Sequence, residues 1–131
     1  MDLLIDAHSW WRYVVLVTAL GAIAMAALAY FGSREWDALS DRLSLFFTVA
    51  MDVQVLIGLL VWVFTNRHFG DVVLTWVHPL LMVGAVGLAH AGRVVAERAD
   101  GSKARGARAG LFFVASLVVV LVAIPFGSWP V

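Results

Sequence analysis

Four long apolar runs constrain the fold of this chain more than any other feature of its sequence. They cover about residues 9–31, 43–65, 72–93 and 109–124. Roughly 20 helical residues cross the ~30 Å hydrocarbon core of a bilayer, and each run is close to that length. The connections between the runs are short, which favours an up-down-up-down arrangement. The sequence therefore predicts an all-α integral membrane protein, with residues 1–131 forming a single four-helix transmembrane domain.

Composition agrees with a membrane protein and argues against several other kinds of protein and site. The chain is 63% hydrophobic and 14% charged, whereas soluble domains average about 45–50% apolar and 25% charged residues. The formal net charge is zero, so nothing electrostatic favours a nucleic-acid partner. The chain has no cysteine, which excludes thiolate metal sites and disulfides. The N-terminal residues lack the basic region and cleavage site of a signal peptide, so we expect the first run to be retained.

The distribution of basic residues predicts an orientation. Most of them flank the first and last connections: Arg34, Arg42, Arg93, Arg98, Lys103, Arg105 and Arg108. The remaining two, Arg12 and Arg67, lie toward the other side. By the positive-inside rule both termini should lie on the outer side. We expect a multi-pass protein of the bacterial inner membrane.

Two histidines, His8 and His78, are the leading candidates for a functional site. If the first helix starts near Leu3, both imidazoles lie a short distance inside the outer face, on helices that would be parallel and diagonal in the bundle. Two facing imidazoles in an apolar slot are the arrangement that a haem b with two axial histidines requires. Arg12 lies one helical turn from His8 and could pair a haem propionate.

Further residues extend this candidate haem site. Met82 has the same one-turn relation to His78, and three aromatic residues, Phe46, Phe47 and Phe112, could line a pocket. There are simpler interpretations of both histidines. His8 could be an interfacial residue beside tryptophans, and His78 could only satisfy a backbone carbonyl freed by Pro79.

Other polar residues suggest a second candidate site. Asp52 and Gln54 lie near the middle of the second run, where an acid commonly faces a cavity, a partner or a proton path. They are about 200° apart around a helix, so they should face different neighbours. An interhelical hydrogen bond is an equally good interpretation of Asp52. We expect His68 to be solvated and His90 to be interfacial, and no His-x-x-x-His or Glu-x-x-His pair indicates another metal site.

These residues give the chain a resemblance to a family of small four-helix bacterial membrane proteins described as cytochrome-b-like. The matching motifs are His8-Ser9-Trp10-Trp11-Arg12, Gln54-Val55-Leu56-Ile57-Gly58, His78 with Met82, Gly92-Arg93 and Ile124-Pro125. The chain departs from the pattern at Asp52, where the family has a histidine. Trp76 and His78 also give a looser similarity to protoporphyrinogen-oxidase-like membrane proteins. The resemblance implies haem b and electron transfer.

Three hypotheses about function remain open. The first is a haem-b electron-transfer protein, linked to a quinone or to a larger respiratory or photosynthetic complex. The second is a cofactor-free structural or accessory subunit of a membrane complex, or a homo-oligomer, because small residues in the first run favour helix association. The third is a small membrane enzyme of porphyrin metabolism or a proton-coupled carrier that uses Asp52.

Overall fold

The residues that the structure describes form four long helices. The structure is a computed structural model that describes residues 2–64 and 73–124. The helices are α1 (Asp2–Tyr30), α2 (Ala38–Phe64), α3 (His78–Glu97) and α4 (Ser102–Ala123), with one π-helical turn at Val73–Val77 leading into α3. No strand occurs in these two described ranges. Each helix is long and apolar enough to cross a membrane, which confirms the predicted fold class and indicates a multi-pass membrane protein.

Several helix ends lie outside the apolar runs. α2 begins at Ala38 rather than 43, α3 continues to Glu97 rather than 93, and α4 begins at Ser102 rather than 109. Hydropathy marks the part of a helix that fits in hydrocarbon, whereas the helical backbone continues into polar sequence as long as its end groups are satisfied. The predicted ends at 65 and 72 lie outside the described residues.

The four helices form a closed ring in the order α1, α2, α3, α4. Each helix packs mainly against its two neighbours in that order, with α4 returning to α1. Trp11 Nε1 donates to Ala50 O, whereas Gly21, later in α1, lies beside Leu43, which is earlier in α2; α1 and α2 therefore run in opposite directions. Contacts of Trp62 with Thr75 and of Asp52 with His90 show that α2 and the α3 segment are also antiparallel. As predicted, α1 and α3 therefore run parallel and lie across the bundle from one another.

Small residues bring α1 and α4 close together. Along α1 the buried positions are mostly alanines: Ala19, Ala22, Ala26 and Ala29. A Cβ added at Gly106 of α4 would lie 2.5 Å from the carbonyl oxygen of Ala26. Without a hydrophobic force between helices in lipid, such backbone proximity supplies the packing contacts that hold a bundle together.

Candidate functional site

A cavity opens between the four helices at the end of the bundle where α1 begins and α4 ends. We call it the histidine cavity; its volume is about 400 Å³. His8, Ser9 and Arg12 of α1, Gln54, Gly58 and Trp62 of α2, His78 and Met82 of α3, and Val120 of α4 line it with Ile124 and several further aliphatic side chains. A mostly apolar wall with a few convergent polar groups is typical of a cofactor or ligand site.

The two candidate histidines meet in this cavity. The ring centroids of His8 and His78 are 6.0 Å apart, and the ring planes are inclined at 86°. Helical structure from Asp2 onward places His8 inside α1, which is the register that the sequence argument required. An ion held by both imidazoles needs two metal–nitrogen bonds of about 2 Å. The distance from each bonded nitrogen to the centroid of its own ring is added to these two bonds. The resulting separation of the ring centroids is close to the observed 6.0 Å.

The tautomer of His78 is fixed by the end of α4. Ile124 has an extended backbone, as expected for a residue that precedes a proline, so α4 ends at Ala123 and its last carbonyls lack helical donors. Nδ1 of His78 lies 2.8 Å from Ala123 O. A carbonyl oxygen only accepts, so Nδ1 carries the proton, and in the neutral ring the lone pair is on Nε2. Histidine ligands of metals are commonly oriented by such a bond to a carbonyl.

The position of His8 depends on two residues of α2. Nε2 of Gln54 donates a hydrogen bond of 2.9 Å to the backbone oxygen of His8. A Cβ added at Gly58 would lie 3.0 Å from Cε1 of the His8 ring, so the absence of a side chain there lets the ring lie against α2. Gln54 and Gly58 are one turn apart, which explains why both face His8.

Gln54 also presents an unsatisfied acceptor. The residue is 6% exposed, and its Oε1 is buried without a hydrogen-bond partner among the described residues. Leaving a buried carbonyl oxygen unpaired costs about 1–3 kcal/mol. Because Gln54 lines the histidine cavity, a bound molecule with a donor group would remove this cost.

The partner of the carbonyl freed by Pro79 is Trp62, not His78. Pro79 lacks an N–H, so the carbonyl of Thr75, four residues earlier, loses its usual helical donor. Nε1 of Trp62 donates to Thr75 O at 2.7 Å, while His78 bonds the end of α4. The proline therefore does not account for the orientation of His78.

Arg12 and Met82 both lie where the sequence placed them. Each is buried, and each lines the histidine cavity one turn from its histidine. Nε of Arg12 donates to Ser9 O at 2.8 Å, which holds the guanidinium near the wall. A cation inside an apolar wall attracts an anionic group of a ligand.

The expected phenylalanine lining is wrong. Phe46 faces outward, and Phe47 packs in the core with its ring centroid 5.3 Å from that of Phe113. Phe112 approaches Gly92 at the opposite end of α3. Aliphatic side chains and Trp62 supply the apolar wall instead, because α2 turns Phe47 toward the middle of the bundle rather than toward the histidines.

Asp52 and Gln54 face different neighbours, as the spacing predicted. Oδ1 of Asp52 lies 2.8 Å from Nε2 of His90, and the two side chains are 47% and 48% exposed. This is the interhelical hydrogen bond that was one interpretation of Asp52, and it gives His90 a partner that sequence reasoning missed. The pair lies on the outer surface of α2 and α3 and does not line the histidine cavity. A proton-relay role for Asp52 stays a prediction, and His68 lies outside the described residues.

Gly58 and Trp62 are two lining residues to which sequence reasoning gave no role in a ligand site. Their positions four and eight residues after Gln54 were an available signal, because residues at this spacing share a helix face. The partner of Trp62, the Thr75 carbonyl, could also be anticipated from the proline four residues later.

Comparisons with known proteins add no assignment. No protein-family model matches the chain, and neither the curated proteins nor the solved structures contain a significant match. The resemblance to cytochrome-b-like proteins therefore stays a prediction.

Proposed function

We propose that the protein binds haem b in the histidine cavity and transfers electrons within the membrane. The observation that carries this proposal is the pair of imidazoles in one cavity with ring centroids 6.0 Å apart, with His78 oriented by the Ala123 carbonyl. His8 and His78 would hold the haem iron. The haem supplies a one-electron couple whose potential depends on its ligands, hydrogen bonds and burial.

Other residues of the cavity would orient and tune the group. The Arg12 guanidinium would pair a propionate, and the apolar wall would exclude water. Met82 lies one turn from His78 and would contribute a polarisable contact rather than a third ligand. Gln54 would keep the His8 segment in register with α2 through its bond to the His8 carbonyl.

The distribution of basic residues supports a location for this site in the membrane. With the basic connections on the cytoplasmic side, the histidine cavity lies near the outer face of a bacterial inner membrane. Electrons would be exchanged with a lipid-soluble quinone or with a larger membrane complex.

An optical spectrum tests the proposal directly. Protein purified in detergent from cells supplied with haem should show a Soret band, and dithionite should produce sharp α and β bands. His8→Ala and His78→Ala should each abolish the six-coordinate spectrum. His90→Ala is the matched control, because His90 is also on α3 but lies outside the cavity, and it should keep the spectrum.

Circular dichroism of the same samples separates loss of ligation from loss of fold. A featureless visible spectrum in folded, haem-supplied wild-type protein would contradict the proposal. In that case a cofactor-free accessory subunit would become the better hypothesis.

A further inference from the structure

A second cavity lies at the other end of the bundle, where α2 and α4 begin and α3 ends. We call it the arginine cavity; its volume is about 320 Å³. Its lining is Trp36, Asp41, Ser44, Arg93, Ala96, Glu97 and Arg105. Five of these seven residues are charged or hydroxyl-bearing, in contrast to the apolar wall of the histidine cavity.

Ser44 indicates that a polar ligand belongs in the arginine cavity. The residue is 2% exposed, and its Oγ has no hydrogen-bond partner among the described residues. A serine within a helix normally bonds back to the carbonyl one turn earlier or points to solvent. Because Ser44 does neither and lines the cavity, its hydroxyl is placed to donate to a bound acceptor.

Two arginines, Arg93 and Arg105, line the same cavity as Ser44. Nε of Arg105 donates to Ala99 O at 3.2 Å, which anchors the side chain by one of its five N–H groups. Nη2 of Arg93 is 3.7 Å from Oε1 of Glu97, longer than a hydrogen bond. Both guanidinium groups therefore retain donors for an anion.

The acids of this cavity lie farther out than the cations. The Arg93 side chain is 27% exposed, whereas that of Glu97 is 66% exposed. Asp41 is also exposed, and its Oδ1 accepts a hydrogen bond of 2.8 Å from Nε1 of Trp36. The deeper part of the cavity is thus lined by guanidinium groups and the Ser44 hydroxyl.

We propose that the arginine cavity binds the phosphate of a membrane phospholipid headgroup. Two guanidinium groups and a hydroxyl match an acceptor with several anionic oxygens, and arginine favours phosphate because its donors form a planar fork. The cavity opens at the end of the bundle that carries seven of the nine basic residues. Basic pockets between transmembrane helices on that side of a membrane meet lipid headgroups.

Lipid titration of single-residue variants tests this site. Phosphatidylglycerol is added to delipidated protein in detergent, and bound lipid is followed by native mass spectrometry. Arg93→Gln, Arg105→Gln and Ser44→Ala should each weaken binding by roughly tenfold, the effect of losing one hydrogen bond to a charged group. Arg98→Gln and Arg108→Gln are matched controls, since both remove a basic residue from the same end but neither lines the cavity.

Ser44→Ala also separates binding from folding. It removes a buried hydroxyl that has no hydrogen-bond partner within residues 2–64 and 73–124, so the lipid-free variant should be at least as stable as wild type. Its melting temperature should nevertheless rise less on addition of lipid. If Ser44→Ala and the arginine variants bind lipid as wild type does, or if all basic variants weaken binding equally, the proposed site is wrong.

Inorganic phosphate distinguishes the source of the phosphate group. We expect millimolar phosphate neither to displace the lipid nor to stabilise the protein, because the acyl chains contribute to binding. If phosphate alone stabilises wild type but not Ser44→Ala, the lipid is overturned as the ligand in favour of a soluble phosphate.

Discussion

At the scale of single residues, the orientation of His78 depends on where α4 ends. The carbonyl of Ala123 accepts from His78 Nδ1 because it belongs to the last turn of the helix, where carbonyls lack helical donors. On the other side of the cavity, His8 depends on the small size of Gly58. Each imidazole is thus oriented by a backbone feature of a neighbouring helix.

Substitution of Gly58 tests the packing of His8. In Gly58→Ala the new Cβ would lie 3.0 Å from Cε1 of His8, so the ring must shift by a few tenths of an ångström. We expect an altered α band and shifted electron paramagnetic resonance signals, with a stability change within about 1 kcal/mol because alanine favours helix.

Gly87→Ala is the control for Gly58→Ala. Gly87 is a helical glycine with open space around its position, so alanine should leave the spectra unchanged. Identical spectra for wild type and Gly58→Ala would show that His8 does not lie against α2.

At the scale of helices, the α1–α4 contact depends on Gly106. In Gly106→Ala the new Cβ would lie 2.5 Å from Ala26 O and 2.7 Å from Tyr30 N, and both are backbone atoms that cannot rotate away. We expect the helices to separate and the free energy of unfolding to fall by about 1–3 kcal/mol. Denaturant titration followed by circular dichroism measures this loss.

Gly110→Ala provides the comparison one turn further along α4. Its Cβ would lie 3.5 Å from that of Ala26, an ordinary contact, so stability should be unchanged or slightly higher. Equal losses in both variants would mean that close approach at Gly106 is unimportant.

The start of α2 depends on the charge of Asp37. Its carboxylate accepts hydrogen bonds from Arg34 at 2.8 Å and from the backbone N–H of Ser40 at 3.1 Å, which is an N-terminal cap. The pKa of Asp37 lies below its ordinary value. The hydrogen bond from Arg34 is the main cause, and the hydrogen bond from the Ser40 backbone adds to it.

The lowered pKa of Asp37 predicts a pH dependence of stability. The contribution of Asp37 is complete above the ordinary aspartate pKa of about 3.9 and is lost as the pH falls through the lower folded-state value. The melting temperature of wild type should therefore fall in this acid range. Asp37→Asn should lose less, and Glu35→Gln should behave like wild type. Parallel curves for wild type and Asp37→Asn would contradict this role.

At the scale of the whole molecule, the basic connections lie together at one end of the bundle and the histidine cavity at the other. Because the chain has no cysteine, single cysteines can report which end faces outward. We expect Leu3→Cys in intact cells to react with a membrane-impermeant maleimide. Ser33→Cys should react only after lysis, and the opposite pattern would reverse the proposed orientation.

The polar residues within the four runs show how much of the site could be predicted from the sequence. The pairing of His8 with His78 and the separation of Asp52 from Gln54 follow from helical spacing and the direction of each span. The Asp52–His90 bond and the arginine cavity could not be predicted from helical spacing and span direction. Both depend on how α2 and α3 are rotated against each other, and spacing within one helix carries no information about its neighbour.

The sequence by itself determined the number of spans, their approximate positions and the two histidines most worth examining, because hydropathy and helical spacing are local properties. The tertiary structure decided which helix faces meet and at what depth, including the contacts of His8 with Gln54 and Gly58. The physical reason is that membrane helices are apolar on nearly all sides, so no polar face in the sequence marks the direction of the core. Close packing of small residues sets that direction, and it exists only once the helices are assembled.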